Sequence, residues 1–177
     1  MLDLGNVVHI GLGANEDSPY ERCVEAIQRL SVTNAITPVQ CSPFYRTEPI
    51  GEKNQQWFIN AALEIRTTCS PFELLDLLQG IEKEMGRVRL ASKGPRLIDL
   101  DILLFNQVVI ADEPRLIIPH PELHKRKFVL VPLNDIASYA IHPAFGVSVK
   151  GLLDRCADKN IVEWYAAPIL LPSAGRQ

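Results

Sequence analysis

Gly94-Pro95-Arg96-Leu97-Ile98-Asp99-Leu100-Asp101-Ile102-Leu103-Leu104-Phe105 is the stretch around which the chain is organised. Behind the Gly-Pro breaker, every residue from Leu97 to Phe105 is apolar except two aspartates, the pattern of a buried strand. Alternation along a strand puts Asp99 and Asp101 on one face, about two rises of roughly 3.3 Å apart. Two carboxylates so close raise each other's pKa and are costly to bury, so a positive charge must lie beside them. Taken alone, such a pair suits ion pairs to Arg or Lys as well as it suits a metal.

The surrounding sequence shifts that balance. Arg87, Arg89, Lys93 and Arg96 precede the pair with no acid between Met85 and Ile98, and Lys125-Arg126-Lys127 follows. Carboxylates among cations are what a magnesium polyphosphate needs, the acids holding metal while the cations neutralise phosphate oxygens.

Working outward, the 177 residues, 47% hydrophobic and 22% charged, describe an ordinary globular chain. One domain over residues 1–165 is expected, with a loosely ordered tail over 166–177 rich in Pro, Ser and Gly. The net charge of -3 and pI near 5.8 argue against nucleic acid as a partner. The four cysteines are scattered, with neither zinc spacing nor a disulfide framework. The N-terminus has no leader pattern and no run is long enough to span a membrane, so a cytoplasmic location is expected.

Val7–Leu12 reads as a first strand ending in a turn at Gly11-Leu12-Gly13-Ala14-Asn15. A capping box at Ser18-Pro19-Tyr20-Glu21 then starts a helix running to about Ser31. The lone G-x-G, lacking a third glycine, is read as that turn and not as a nucleotide loop. Ile36–Tyr45 reads as an edge strand because of Pro38 and Pro43, and Trp57–Thr67 as a third strand.

On that third strand Phe58 and Asn60 share a face. They are either a core aromatic beside an amide that satisfies backbone, or a platform for a flat heterocycle with polar edges. A second capping box, Ser70-Pro71-Phe72-Glu73, opens a helix that stops near Gly86. Glu82 on that helix either pairs with solvent-facing charges or faces the basic loop.

After Phe105, Asn106-Gln107 and Val108–Ile110 suggest a hairpin return. His120 and His124 are separated by Pro121 without the H-E-x-x-H pattern, so no zinc site is read there. Helices are expected over Phe128–Ile136 and Val147–Cys156, and a short last strand over Ile161–Tyr165. The order strand, helix, two strands, helix, strand implies an α+β, ferredoxin-like β-α-β-β-α-β core. Its sheet is antiparallel with helices packed on it and C-terminal additions, and the first and third strands are adjacent at its centre.

G-x-G-A-N, F-Y-R-T-E-P-I-G, F-I-N, G-R-V-R, G-P-R-L-I-D-L-D, and P-H followed by R-K-F form an ordered set over roughly residues 7 to 165. This set resembles the 6-hydroxymethyl-7,8-dihydropterin pyrophosphokinase family of the folate pathway. The resemblance implies transfer of the β,γ-diphosphate of ATP to the pterin hydroxymethyl group, with release of AMP. It implies that Asp99 and Asp101 hold two Mg2+ ions, that Arg87 and Arg96 meet phosphate, and that Arg89 lies on a closing loop. Thr47, Pro49, Ile50 and Asn60 would shape and read the pterin between Phe58 and Phe128. Gln79, Glu82, Ile102, Arg115, His120 and Arg126 would line the ATP site, beside Arg87 and Arg96.

The partners implied are these small molecules alone, with no nucleic acid or membrane and a monomer as the working expectation. Ala14, Leu90-Ala91-Ser92-Lys93 and Pro121 depart from the residues common in the family. Two other classes fit the fold: a palm-type two-metal nucleotidyltransferase and a ligand-binding domain without turnover.

Overall fold

The computed structural model describes residues 5–50, 54–87 and 96–171. In chain order the elements are β1 (Asn6–Ala14), α1 (Pro19–Ser31), β2 (Ile36–Cys41), β3 (Phe44–Thr47), β4 (Phe58–Thr67), α2 (Pro71–Glu84) and β5 (Asp99–Phe105). There follow β6 (Ile110–Asp112), β7 (Leu116–Ile118), a 3-10 turn at Leu123–Lys125, and α3 (Lys127–Ala137). The chain finishes with β8 (Ile141–His142), β9 (Val147–Ser148), α4 (Val149–Arg155) and β10 (Val162–Ala166).

The main sheet runs β10-β3-β4-β1-β5, with β2 also paired to β4. All its pairings are antiparallel, and β1 and β4 lie side by side from Asn6↔Thr67 to Ala14↔Ile59. This is the ferredoxin-like arrangement expected from the element order. The expected strand Ile36–Tyr45 is two strands end to end, β2 and β3, which together fill one position beside β4. The break falls at Ser42-Pro43, where proline has no N–H for the ladder. Buried Ser42 bridges it by donating its N–H to the Ala62 carbonyl and accepting the Ala62 N–H on Oγ, both at 2.9 Å.

Period-two alternation sorts the sheet into two faces. Val8, Ile10, Leu12 and Ala14 of β1, with Ile59, Ala61, Leu63 and Ile65 of β4, meet the apolar stripes of α1 and α2 in the main core. That burial is the chief stabilising term. On the opposite face, α3 and α4 close a second core over Ala62, Leu103 and Leu104, using Leu130, Leu133, Val149 and Leu152. They cover only part of that face.

Three local expectations are corrected. The first strand does not end at Leu12: Gly11 and Gly13 lie inside β1, paired to β4 and β5, and not in a turn. No hairpin returns along β5 either, since β6 pairs with β7. Asn106, at φ 47°, instead seals β5 onto β1, donating its N–H to the Val7 carbonyl and accepting the Val7 N–H on Oδ1, both at 2.8 Å. Finally, α1 begins as predicted but Ser18 does not cap it with its side chain. Asp17 and Ser18 both have positive φ, 44° and 63°, which carries the hydroxyl away from the first-turn N–H groups. In the expected tail, Ala166, Ile169 and Leu171 pack on the main core, so its described part is anchored.

The second capping box forms as read. Ser70 Oγ accepts from Glu73 N–H at 3.4 Å and Glu73 Oε2 accepts from Ser70 N–H at 2.8 Å. Ser70→Ala is expected to lower stability by about 1 kcal/mol, whereas Ser18→Ala stays within about 0.5 kcal/mol. Thermal denaturation of the two variants beside the parent measures the difference.

Candidate functional site

The uncovered part of the second sheet face is a cleft with a backbone floor. Its floor is Gly11, Leu12 and Gly13 of β1, and its rim includes Thr47, Ile50, Gln55, Phe58, Asn60, Arg96, Asp99, Asp101, His120, Arg126 and Phe128. Registry explains the assembly: Gly13 stands between Asn60 and Asp99, and Gly11 between Ala62 and Asp101. A Cβ on Gly13 would come within 2.7 Å of Asn60 Oδ1, and one on Gly11 within 3.2 Å of Leu103 Cδ2. The two glycines therefore keep the middle of the sheet bare of side chains. This is the reason for the G-x-G spacing, and it involves no turn.

On one side of the floor lies the Phe58–Asn60 platform. Asn60 Nδ2 donates to Thr47 Oγ1 at 2.7 Å, which fixes the orientation of the carboxamide, and both residues are buried. Phe58 lines the cleft from β4 and Phe128 from the first turn of α3, with the Arg126 guanidinium 5.9 Å from the Phe128 ring centre. Pro49 is buried beside Ile50, which is exposed at the rim. The pterin-side residues named from sequence are thus brought to one place.

On the other side is a charge network. Arg87 Nη1 donates to Asp99 Oδ1 at 2.7 Å and also pairs with Glu82, while Arg96 Nη1 pairs with Asp99 Oδ2. Glu82 is 4% exposed and its Oε1 accepts the Leu100 N–H at 2.7 Å, tying α2 to β5. Burial pushes the Glu82 carboxyl up, against the pull of the Leu100 N–H and Arg87. Burial likewise opposes the charge on Arg87, but Asp99 and Glu82 outweigh it and raise its pKa. The basic loop is thus where Glu82 faces.

Asp101 differs. Its side chain is 45% exposed towards the cleft, and its ionic neighbour is His120 Nε2 at 3.9 Å. Crowding by surrounding protein, then the negative charges of Asp99 and Glu82, raise it to about 7. His120 Nδ1 accepts the Glu122 N–H at 3.1 Å, which leaves the ring proton on Nε2, facing Asp101. Burial and the charge of Arg126 lower His120 to about 4, so the imidazole is neutral.

The remaining positions lie elsewhere. Gln79 is on α2; Arg115 is exposed, stacked 4.8 Å from the Phe72 ring centre and paired with Asp76 at 3.4 Å across the same helix. Ile102 is buried in the main core, on the sheet face opposite Asp101. Arg89 lies outside the described residues. Asn15, read from sequence only as the end of a turn and given no role in the site, is 1% exposed and hydrogen-bonded to both sides of the cleft. Its signal in the sequence was its place two residues after Gly13 of the glycine floor.

Among the described residues no cluster of three or more His, Cys, Asp or Glu could hold a metal by itself. Two carboxylates side by side above a bare floor, one of them short of cationic partners, nevertheless suit a hard divalent ion that takes its other oxygens from phosphate and water. No helix among the described residues is long and apolar enough to cross a membrane.

Fold and site define a ferredoxin-like protein with an acidic, arginine-flanked centre beside an aromatic-amide pocket, the class of small-molecule phosphoryl-transfer enzymes. Residues 9–138 match the family model described as 7,8-dihydro-6-hydroxymethylpterin-pyrophosphokinase, and the chain belongs to that family. It is 42% identical over 158 residues to a 2-amino-4-hydroxy-6-hydroxymethyldihydropteridine pyrophosphokinase of Haemophilus influenzae, covering 88% of this chain and 96% of that one. A protein of the same name from Bacillus subtilis is 44% identical over 133 residues, 75% and 79% of the two chains. Among solved structures, Plasmodium falciparum HPPK-DHPS with pteroate superposes with a TM-score of 0.66 at 16% identity. That match covers 85% of this chain and 42% of the larger one, and it establishes the likeness of fold.

A carboxyl held near 7 binds its proton more tightly in the folded than in the unfolded chain, so metal-free stability falls as pH rises from about 4 through about 7. Asp101→Asn removes that penalty. In calorimetric melts with chelator, the variant's Tm advantage over the parent is expected to grow between pH 5 and pH 8, and to shrink when Mg2+ is added to the parent.

Proposed function

We propose that the cleft transfers the β,γ-diphosphate of ATP to the hydroxymethyl group of 6-hydroxymethyl-7,8-dihydropterin and releases AMP, the reaction of its family in folate synthesis. The hydroxymethyl oxygen attacks the β-phosphorus, the bond from that phosphorus to the α,β-bridging oxygen breaks, AMP leaves with that oxygen, and the hydroxyl proton is released. The observation that carries this reading is the glycine floor, which puts Asn60 and the Asp99–Asp101 pair on opposite sides of one strand. A heterocycle read by the amide thereby has its substituent aimed at the acids.

In this reading Phe58 and Phe128 hold the pterin faces, Asn60 oriented by Thr47 reads its edge, and Pro49 and Ile50 shape the rim. Asp99 and Asp101 would hold two Mg2+ ions, which supply charge neutralisation of the phosphates and a more acidic hydroxyl. Arg87 and Arg96 reach phosphate oxygens from the Asp99 side, and Glu82 holds Arg87 there. Neutral His120 donates its Nε2 proton to a phosphate oxygen, with Arg126 beside it. Gln79 and Arg115 would belong to the outer, nucleoside end of the ATP site and Arg89 to the closing segment, while Ile102 supports the site only from within the main core.

Alignment and charge stabilisation suffice, because diphosphoryl transfer needs no covalent intermediate on the protein. A monomer in the cytoplasm is part of the same reading. The palm-type and non-catalytic alternatives are not favoured: neither accounts for the aromatic-amide pocket within the family match.

With ATP, Mg2+ and the hydroxymethyldihydropterin, the expected products are AMP and the diphosphorylated pterin; ADP, or no turnover by folded protein, overturns the reading. Asp99→Ala and Asp101→Ala are expected to abolish turnover while keeping the far-UV circular dichroism of the parent. Phe58→Ala is expected to weaken pterin binding about tenfold or more in calorimetry, with ATP affinity nearly unchanged.

A further inference from the structure

The first turn of α3 carries Phe128, yet the helix opens without a cap of its own. Arg126 stands at the N-cap with no side-chain hydrogen bond, and no acid lies in the first turn. The acceptor comes from beyond α4. Asp158 Oδ2 accepts the Lys127 N–H at 2.9 Å, and Asp158 Oδ1 accepts the Asn160 N–H at the same distance. A carboxylate at a helix N-terminus also suits the direction of the helix dipole.

Three residues further on, the same stretch meets the segment that carries Thr47, Pro49 and Ile50. Glu48 Oε2 accepts the Ile161 N–H at 2.9 Å, and the Glu48 N–H donates to the Ile161 carbonyl at 3.3 Å. Glu48 lines the cleft, and β10 continues the contact by pairing Val162 with Thr47. Residues 157–161 belong to no helix or strand, and these bonds join them to α3 on one side and to the 47–50 segment on the other. The far end of α3 is held separately, since Tyr45 Oη donates to Asp135 Oδ2 at 2.6 Å. Loss of the Asp158 carboxylate therefore loosens the first turn of α3 more than the rest of the helix.

We propose that residues 158–161 brace the pterin end of the cleft and that Asp158 is a positioning residue, fixing Phe128 relative to the rim formed by Thr47, Pro49 and Ile50. The inference rests on the pterin assignment made above. Asp158 does not line the cleft. It acts through the Lys127 N–H, one residue before the aromatic ring. A ring already in place receives the heterocycle without first being ordered, which strengthens binding. Such a contact is equal in the ground and transition states, so it sets KM and leaves kcat unchanged.

In steady-state assays, Asp158→Ala is expected to raise the pterin KM about tenfold while kcat stays within about twofold of the parent. Calorimetry with saturating Mg2+ and a non-hydrolysable ATP analogue should show the same loss in pterin Kd, with affinity for the analogue itself changed by less than about threefold. Lys127→Pro removes the N–H that Asp158 accepts and places proline at the first helical position, after an Arg126 already in extended conformation. In that background Asp158→Ala should change pterin affinity by less than about twofold, because the bond it would break is already gone.

If Asp158→Ala gives no cooperative melt, Asp158→Asn, which keeps one acceptor oxygen, takes its place with an expected rise in pterin KM of about threefold. A pterin KM within about twofold of the parent for Asp158→Ala, or unchanged for Asp158→Asn, overturns the inference. So does an equal loss of nucleotide and pterin affinity, or a full loss that persists in the Lys127→Pro background. Each of these leaves the reaction standing. Failure of the parent to bind the pterin overturns the pterin assignment, and the inference with it.

Discussion

The pairing of Asp99 with two guanidinium groups is the interaction on which the rest of the site depends. Asp99 begins β5 with its side chain mostly buried, and an unpaired carboxylate there would be strongly destabilising. Arg87 and Arg96 both reach the same acid, Arg87 from beyond the end of α2 and Arg96 from just before β5. Glu82 anchors Arg87 in turn and caps the first N–H inside β5, which connects the end of α2 to the chemistry. Such networks contribute modestly to net stability, because desolvation offsets much of their attraction. They do set the direction of Asp99, Arg87 and Arg96.

Much of this was legible in the sequence because it rests on periodicity and on side-chain chemistry. The alternation of Asp99 and Asp101 against Leu100 and Ile102 gave both the strand and the common face of the acids. The two helices declared themselves through their apolar stripes, and the Ser70 box through its spacing. The pterin-side residues followed from one strand face, Phe58 and Asn60, together with the family resemblance.

What the sequence withheld depends on tertiary pairing. Whether Gly11-Leu12-Gly13 is a turn or a strand interior is decided by its neighbours β4 and β5, which no local pattern reveals. Ser18 has the right spacing for a cap, yet two consecutive positive φ angles defeat it. The return after Phe105 pairs with β7 because Asn106 is already hydrogen-bonded to β1. Asn15 was read only as the end of that turn because its partners are 40, 41 and 81 residues away.

The register of β5 against β1 shifts by one residue between His9 and Ile10, opposite the Ile102–Leu104 segment. Beyond this bulge Leu103 and Leu104 both serve the core under α3 and α4, while Phe105 returns to the main core. Polar and apolar halves of one sheet face are thereby partitioned within three residues. A one-residue slip of β5 would drive both carboxylates beneath α1 and α2 and turn Leu100 and Ile102 out to solvent. Such a misthreaded chain would be too unstable to persist, so the hydrophobic core proofreads the placement of the acids.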